Sequence, residues 1–203
     1  MVMTSQPDIA GTLPESWAEA GAFTELSELW LLDLPVVEIV GQQWLPSLAD
    51  LVLQLPMVYG TLPPEWGSNG FQALTELKLQ LPMLSGTLPP EWGSPPAFSE
   101  LAELWLLDLS IVGTLPALWG NSGFQALTAL QLQLPMLSGM LPPEWGSNGF
   151  QALTDLELRL PKLSGTLPPD WGSPSAFPEL MSLLIDNTNI TGILTATTRC
   201  NTL

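Results

Sequence analysis

The sequence predicts a repeat solenoid of α/β type, mostly β, with about seven coils. The first observation is a recurring phrase, GTLPPEW, which begins at Gly60 and Gly86, recurs as GTLPPDW from Gly165, and has further variants that begin at residues 11, 113 and 139. The second is the Trp that closes the phrase, which falls at 66, 92, 119, 145 and 171, in steps of 26, 27, 26 and 26. The third is an LxLxL run about ten residues after each phrase. A fixed period of this length is typical of solenoids, in which each coil buries its apolar face against its neighbours.

One coil, residues 74–90 (LTELKLQLPMLSGTLPP), illustrates how the elements are assigned. Its first leucines alternate with polar residues, which predicts a short strand with one buried face. Pro82 cannot donate a ladder hydrogen bond and ends that strand. A second alternation over residues 84–88 predicts another short strand, and Pro89 with the proline after it predicts a turn or a brief helical start.

The strands and tryptophans of different coils can be aligned. Each phrase-closing Trp is expected to point inward and stack on its equivalents, because its phase is so regular. Two stretches, 60–109 and 139–188, are near copies 79 residues apart, and the second coil is four residues short at Trp44. The seven strands align on these central leucines: Leu29, Leu51, Leu77, Leu104, Leu130, Leu156 and Leu183.

The repeat LTELKLQLPMLSGTLPPEWG resembles the plant-type class of leucine-rich repeats, whose pattern is LxxLxLxxNxLSGxIPxxLG. The TLPPEW wording is similar to repeats of green algae and of trypanosomatid surface antigens. The resemblance implies a right-handed superhelix with a parallel sheet on the concave face, a short second sheet beside it, and 3-10 turns on the convex side. We assign the solenoid to residues 11–194, between an N-terminal flank that enters mid-coil (1–10) and a C-terminal flank (195–203).

The sequence departs from this pattern at the family's inward Asn. An Asn side chain can hydrogen-bond backbone groups of neighbouring coils, which neither Pro nor Leu can do. We therefore expect the turn to be held in another way, with the buried Trp offsetting the loss. The residues that take the place of the Asn are Leu34, Pro56, Pro82, Leu109, Pro135, Pro161 and Thr188.

The amino-acid composition excludes several classes of function. Twenty Asp and Glu against four Lys and Arg give a formal charge of −16, which argues against nucleic acid and anionic membranes as partners and leaves basic proteins or cations. The chain has no His, which removes the usual general base and the commonest metal ligand, and Cys200 is its only Cys, so a Cys-rich zinc site is excluded. The acids lie in columns rather than in a cleft. We predict a protein without catalytic activity, metal or cofactor.

The sequence is compatible with more than one cellular compartment. The longest apolar stretch, residues 29–40, is interrupted by Asp33 and Glu38, so it is not a membrane span. The N-terminus lacks the basic start and the apolar core that a signal peptide has. We expect either an intracellular protein or a piece of a longer extracellular or cell-surface protein. Because solenoid ends expose apolar edges, a neighbouring protein or further coils are expected to cover them.

The outward residues of the predicted concave strands form the candidate partner surface. Acids follow one column, and the next column carries two tryptophans, the residue type that most often dominates binding energy at interfaces. The alternative is a solvated face kept polar to prevent association. The candidate partner-binding residues are Trp30, Glu76, Lys78, Glu103, Trp105, Gln131, Asp155, Glu157 and Arg159.

Three further features have simpler interpretations. The acid just before each repeat Trp, as at Glu91 and Glu144, favours the positive end of a helical turn. A Ser/Thr array, including Thr87 and Thr114, is similar to ice-binding solenoids but also follows the family pattern. Asn189 begins the one N-glycosylation sequon.

The sequence thus predicts a noncatalytic protein-interaction module that binds a protein partner, one of basic character, through its concave face. The first alternative is a structural repeat segment of a cell-surface protein or a subunit of a large assembly. The second is an ice-binding solenoid.

Overall fold

The computed structural model describes residues 2–3, 11–12, 25–34, 36–38, 47–67, 71–147 and 149–191. Several predicted features lie outside these residues: the shortened coil at Trp44, the thiol of Cys200 and the C-terminal flank 195–203.

Parallel strands dominate the described fold. An eight-stranded sheet has the order β1-β3-β5-β6-β7-β8-β10-β12, a three-stranded sheet has the order β13-β11-β9, and β2 pairs with β4. The strands are β1 (Val2–Met3), β2 (Gly11–Thr12), β3 (Glu28–Leu32), β4 (Val36–Glu38), β5 (Asp50–Gln54), β6 (Glu76–Gln80), β7 (Glu103–Leu107), β8 (Ala129–Gln133), β9 (Ser138–Gly139), β10 (Asp155–Arg159), β11 (Lys162–Gly165), β12 (Ser182–Asp186) and β13 (Asn189–Ile190).

The predicted register of the main sheet is confirmed. Each central leucine pairs with the next, from Leu29 through to Leu183, with no slip between them. Because successive side chains of a strand point to opposite faces, this register stacks the inward leucines into a continuous core and the outward residues into columns. Strand β1, which lies in the predicted N-terminal flank, extends the sheet by pairing Val2 with Trp30.

The convex side consists of short 3-10 helices, as predicted. Each begins at or just after the prolines of the repeat phrase, because proline already has a helical φ and lacks the N–H that a first turn leaves unpaired. The five described helices are Pro64–Trp66, Pro90–Gly93, Ala117–Gly120, Pro143–Gly146 and Pro169–Gly172. Between the two sides, the predicted second strand is realised unevenly: the later coils form β9, β11 and β13, whereas residue 85 makes only an isolated bridge to Thr61.

The repeat tryptophans stack inside the solenoid, as predicted. Neighbouring indoles from residues 66, 92, 119, 145 and 171 lie nearly parallel, with ring centroids 6.2 or 6.3 Å apart. A phenylalanine of each coil meets its Trp edge-on, as Phe124 meets Trp119 at 5.4 Å. Each indole from Trp92 onward also donates its N–H to a proline carbonyl of the preceding coil, as Trp119 does to Pro89 at 2.9 Å. The stack therefore joins consecutive coils by packing and by hydrogen bonding.

Glycines permit this close stacking at two points of the coil. Gly86 has a φ of +91°, and a Cβ there would lie 2.8 Å from Cγ2 of Thr61 in the preceding coil. At Gly120 a Cβ would lie 2.3 Å from the carbonyl oxygen of Glu144. The glycines of the SG and WG dipeptides thus allow the left-handed turn and the close approach between coils.

The prediction for the family's inward Asn position was wrong in the proline coils. Pro56, Pro82 and Pro135 are exposed and Pro161 is half-buried, whereas the leucine before each proline is buried. In these coils the LxLxL alternation continues for one more residue, so a leucine takes the inward place. In the other coils a residue of positive φ intervenes, such as Asp33 or Asp108, and the inward residue is the one after it, Leu34 or Leu109.

Candidate functional site

The predicted partner residues lie on the outward face of the main sheet. The register places Glu28, Asp50, Glu76, Glu103 and Asp155 in one column. The neighbouring columns add two more acids and two bases, so the three columns hold seven acids against two bases, a net charge of −5. The additional residues are Glu157, Asp186, Lys78 and Arg159.

Lys78 sits at the centre of the first cluster on this face. Its Nζ lies 3.1 Å from a carboxylate oxygen of Glu76 and 3.1 Å from one of Glu103. The same ammonium lies 3.8 Å from the ring centroid of Trp105, on the next strand. Strands β6 and β7 therefore place one cation between two carboxylates and an aromatic face, and this cluster neutralises part of the acidic column.

The environment of Lys78 shifts its pKa upward. Partial burial is the largest single influence and lowers the pKa, but hydrogen bonds and charge attraction from Glu76 and Glu103 together outweigh it. The pKa of Lys78 is therefore raised above its ordinary value, and the ammonium form is held by the fold.

A second cluster is centred on Glu157. Arg159 lies 3.0 Å from Oε1 of Glu157, and Gln131 donates its amide to the same oxygen at 3.1 Å. Asp155, one alternation earlier on β10, instead accepts a hydrogen bond at 2.7 Å from the hydroxyl of Thr154. The fold thus brings seven of the nine candidate residues into two compact groups, the first of which includes Trp105, and leaves Trp30 and Asp155 outside them.

The two tryptophans of this face differ in exposure. Trp30 is 37% exposed, whereas Trp105 is half-buried and carries Lys78 over its ring. Beside Trp30 in register lies Val52, which is only 7% exposed although it points outward. Neighbouring outward side chains must therefore cover Val52. Trp30 is therefore the more exposed aromatic of the face, and Trp105, which the register also places on this face, is partly covered by Lys78.

A third network was missed by the sequence analysis. Asp108 accepts hydrogen bonds from Gln80 at 2.9 Å and from Gln133 at 2.8 Å, and its own N–H donates to the Gln133 carbonyl at 2.8 Å. Its φ of +57° turns the chain so that the carboxylate faces both neighbouring coils. The signal was present in the sequence, because Asp tolerates this conformation and glutamines occupy the aligned positions on either side.

The remaining candidate features have structural partners. Asn189 lies exposed in β13 and donates its side-chain amide to the Pro161 carbonyl at 3.1 Å. The hydroxyls of Ser85, Ser138 and Ser164 donate to glycine carbonyls of the preceding coil. Glu91 and Glu144 occupy first turns of 3-10 helices, as predicted. Within the described ranges, no three His, Cys, Asp or Glu side chains are grouped as a metal site would require.

Comparison with known proteins identifies the fold. No protein-family model matches the sequence, and no curated protein is significantly similar to it. The crystal structure of a TDR receptor matches with a TM-score of 0.70 and 25% identity over 91% of this chain. The leucine-rich-repeat ectodomain of the membrane receptor kinase GASSHO1/SCHENGEN3 from Arabidopsis thaliana matches with a TM-score of 0.66 and 25% identity over 90% of this chain. The chain has the leucine-rich-repeat solenoid fold.

This chain spans only part of each matched structure. This chain covers 30% of the TDR receptor chain and 20% of the GASSHO1/SCHENGEN3 ectodomain. The ectodomain of the Arabidopsis receptor kinase HAESA, crystallised with an IDA peptide hormone, matches with a TM-score of 0.67 and 21% identity over 94% of this chain and 34% of its own. Among the described residues, no helix has the length and apolar character needed to cross a membrane.

Proposed function

We propose that this chain is a noncatalytic protein-interaction module that binds a basic protein or peptide through the outward face of its main sheet. The observation that carries the proposal is the net charge of −5 on this face together with the exposed indole of Trp30. Charge complementarity accelerates the encounter with a partner and discriminates among partners, and an exposed aromatic provides an anchor.

The internal pairing of side chains refines which part of the face would contact a partner. Lys78 already neutralises the middle of the acidic column, and Arg159 lies against Glu157. Counted along the three columns, the acids outnumber the bases by two at each end of the sheet, with Glu28 and Asp50 beside Trp30 at one end and Asp155, Glu157 and Asp186 against Arg159 at the other. We expect a basic partner to bind most strongly near Trp30, where the acids and the exposed aromatic coincide.

The comparisons support this class of function by analogy. The GASSHO1/SCHENGEN3 ectodomain was crystallised in complex with CASPARIAN STRIP INTEGRITY FACTOR 2. An extracellular location is part of the same proposal, since that relative is the ectodomain of a membrane receptor kinase. The fold itself hosts many functions, so the proposal depends on the surface described above.

A structural role in a longer array or an assembly is the second candidate. It is favoured by β12, the last described strand, where Leu183 is 46% exposed although its equivalents in the preceding strands are buried. Met181 and Leu184, beside it, are also exposed. An apolar surface of this kind on a solenoid coil is suited to packing against another coil.

The test is affinity capture from the source organism with two charge-matched baits. One bait carries Glu28→Gln and Asp50→Asn on the sheet face, and the other carries Glu91→Gln and Glu144→Gln on the convex side. We expect a partner retained by wild type and by the convex variant to be lost from the sheet-face variant. Equal retention by all three baits would contradict the proposed surface, and capture only in a complex sensitive to Leu183→Asp would favour the structural role.

A further inference from the structure

The side of the solenoid between the main sheet and the 3-10 helices forms a separate surface, which we call the lateral face. It consists of one segment from each of six consecutive coils, and the short strands β9, β11 and β13 lie in it. Backbone hydrogen bonds, such as that from the Ser85 N–H to the Gly60 carbonyl at 2.9 Å, hold successive segments side by side. The segments are residues 56–62, 82–88, 109–115, 135–141, 161–167 and 188–191.

Exposed hydrophobic side chains are concentrated on the lateral face. Of the twelve large hydrophobic residues that are exposed in the described part of the chain, six belong to this face, and four of these are methionines. The other six are divided among the main sheet, the convex side and the last described coil. Single apolar residues on a surface need no explanation, but a group on neighbouring coils is typical of an interaction site. The six are Met57, Tyr59, Met83, Val112, Met136 and Met140, each between 43% and 65% exposed.

The lateral face also differs from the rest of the surface in charge. No Asp or Glu occurs in its six segments, and Lys162 is their one basic residue. Acids line the outward face of the main sheet, and Glu65, Glu91 and Glu144 lie on the convex side. Because the chain has a formal charge of −16, a surface without acids is where an equally charged molecule meets the least repulsion.

Six polar side chains of the lateral face already have hydrogen-bond acceptors within the protein. The Ser110 hydroxyl donates to the Pro82 carbonyl at 2.7 Å, and the Asn189 amide donates to the Pro161 carbonyl at 3.1 Å. The other four donate their hydroxyls to glycine carbonyls of the preceding coil. Covering these hydroxyls leaves no unpaired donor, so this face can lose its water at low cost. The four are Ser85, Ser138, Ser164 and Thr191.

We infer that the lateral face binds the lateral face of a second copy of this chain in a two-fold dimer. A surface that is apolar and without acids fits its own copy, whereas the acid columns of the other two sides would repel a copy of themselves. The six segments cover about 25 Å by 20 Å, or roughly 500 Å² per copy. A dimer would bury about 1,000 Å² in total, close to the lower limit for a specific interface, so we expect weak and reversible association.

This inference goes beyond the proposed function, because the lateral face contains none of the candidate partner-binding residues. The two kinds of binding should also respond to salt in opposite directions. Salt screens the repulsion between two copies that each carry a charge of −16, so dimerisation should strengthen as the salt concentration rises. The attraction between the sheet face and a basic partner should weaken under the same change.

Sedimentation equilibrium at low and high salt tests the inference directly. We expect a monomer–dimer equilibrium with a dissociation constant of roughly 10–100 µM at high salt. The double variant Met83→Glu, Met136→Glu places two carboxylates in the interface and should weaken dimerisation at least about tenfold. The control Leu118→Glu, Gln125→Glu adds the same charge at exposed positions outside the lateral face and should stay within about twofold of wild type. A wild-type protein that is monomeric at every salt concentration would overturn the inference.

Disulfide cross-linking provides a second test that does not depend on the glutamate variants. Val112 lies near the centre of the lateral face, so it comes close to its own equivalent whichever way the two-fold axis runs in the interface. In a Cys200→Ser background, we expect Val112→Cys to give a covalent dimer on mild oxidation. Leu118→Cys, which is similarly exposed but lies on the convex side, should not do so. Equal cross-linking of the two variants would contradict a lateral interface.

The outcomes also separate this dimer from end-to-end packing and from the proposed function. If Leu183→Asp abolishes association and Met83→Glu with Met136→Glu does not, the copies meet through the last described coil, and the inference fails. If the control Leu118→Glu, Gln125→Glu weakens association as much as the lateral variant, the effect is one of overall charge, and the inference fails as well. Neither result affects the proposed function, which is judged by partner capture with the sheet-face variant.

Discussion

Residues 76–105 and 155–184 are two copies of one structural unit with different chemistry on the same face. In the first copy, Lys78 joins Glu76, Glu103 and the ring of Trp105. In the second copy, the equivalent of Lys78 is Glu157, which pairs with Arg159 on its own strand. The equivalent of Trp105 is Leu184, which is exposed. The strands of the two copies share one register, yet the charged residues on the face differ in position and sign.

The difference teaches where the repeat tolerates change. Between 60–109 and 139–188, the substitutions up to Trp105 fall on exposed or half-buried positions, while the tryptophans and phenylalanines of the interior are identical. The interior has to fit the stack of the next coil, and the sheet face has no such constraint. The face is therefore the part of the molecule that can differ between copies and provide specificity.

The largest expected effect contrasts equivalent tryptophans of the two copies. Trp92 is fully buried and stacks on Trp66 and Trp119, whereas Trp171 is 9% exposed and stacks on Trp145. We expect Trp92→Ala to lower the free energy of unfolding by about 3–5 kcal/mol and Trp171→Ala by less, because fewer contacts are lost. Urea denaturation followed by circular dichroism measures both. Equal losses would show that the stack is no tighter in its middle than near the end.

The second-largest effect on stability is expected when the charges at Lys78 and Glu157 are reversed. Lys78→Glu places a third carboxylate between Glu76 and Glu103 and removes the cation from Trp105, at an expected cost of about 1–2 kcal/mol. Glu157→Lys places an ammonium near Asp155 as well as near Arg159, so its cost should be about 0.5 kcal/mol or less. Unfolding at low and high salt checks the assignment, since the difference between the variants should shrink as salt screens the charges. A difference independent of salt would indicate a packing effect.

Removing the carboxylate of Asp108 is expected to have a smaller effect on stability. Asp108→Asn reproduces Asn187, its equivalent in the second copy, and keeps a residue type that tolerates positive φ. One of the two glutamines then loses its acceptor, because the amide nitrogen of Asn is a donor, and the other keeps only a neutral acceptor. We therefore expect a loss of about 0.5–1.5 kcal/mol in the free energy of unfolding. The reverse change, Asn187→Asp, should not stabilise the protein, because it adds a carboxylate beside Asp186. Stabilisation by Asn187→Asp would contradict this account.

The smallest effect is a dependence on alkaline pH. The pKa of Lys78 is raised in the folded protein, so folding favours its charged form. Its contribution to stability is complete below the ordinary lysine pKa and is lost as pH rises through the raised value. Thermal unfolding of wild type and of Lys78→Met, compared between about pH 8 and 12, should show a difference that is constant at first and then narrows. A difference that widens in this range would reverse the assigned sign.

The interior was predictable because one periodicity governs it. The spacing of Trp92, Trp119 and Trp145 requires equivalent places in successive coils, and the structure stacks their rings with centroids 6.2 or 6.3 Å apart. The outward columns follow from the same alternation, which by itself places the candidate residues on one face of the sheet. Stacking and register are repeated many times along the chain, which makes them readable from pattern alone.

The pairing of side chains on that face was not predictable in the same way. The column order placed Lys78 beside both Trp105 and Glu103, but it did not say that one ammonium would engage the ring and two carboxylates at once. The turn after the strand was also misjudged, because a positive φ at Asp108 shifts the inward position by one residue relative to the proline coils. Both features depend on rotamers and backbone angles that differ from coil to coil, so they cannot be inferred from the repeat period.

The sequence by itself determined the solenoid, the register of its strands and the burial of its aromatic columns. These properties arise from short-range alternation and a fixed repeat length, which any chain with this pattern must satisfy to bury its apolar faces. Only the tertiary structure decided that the Lys78 ammonium lies over the ring of Trp105 while Trp30 remains exposed. The two indoles belong to identical six-residue segments, and they differ because of the residue that the neighbouring strand places beside each one.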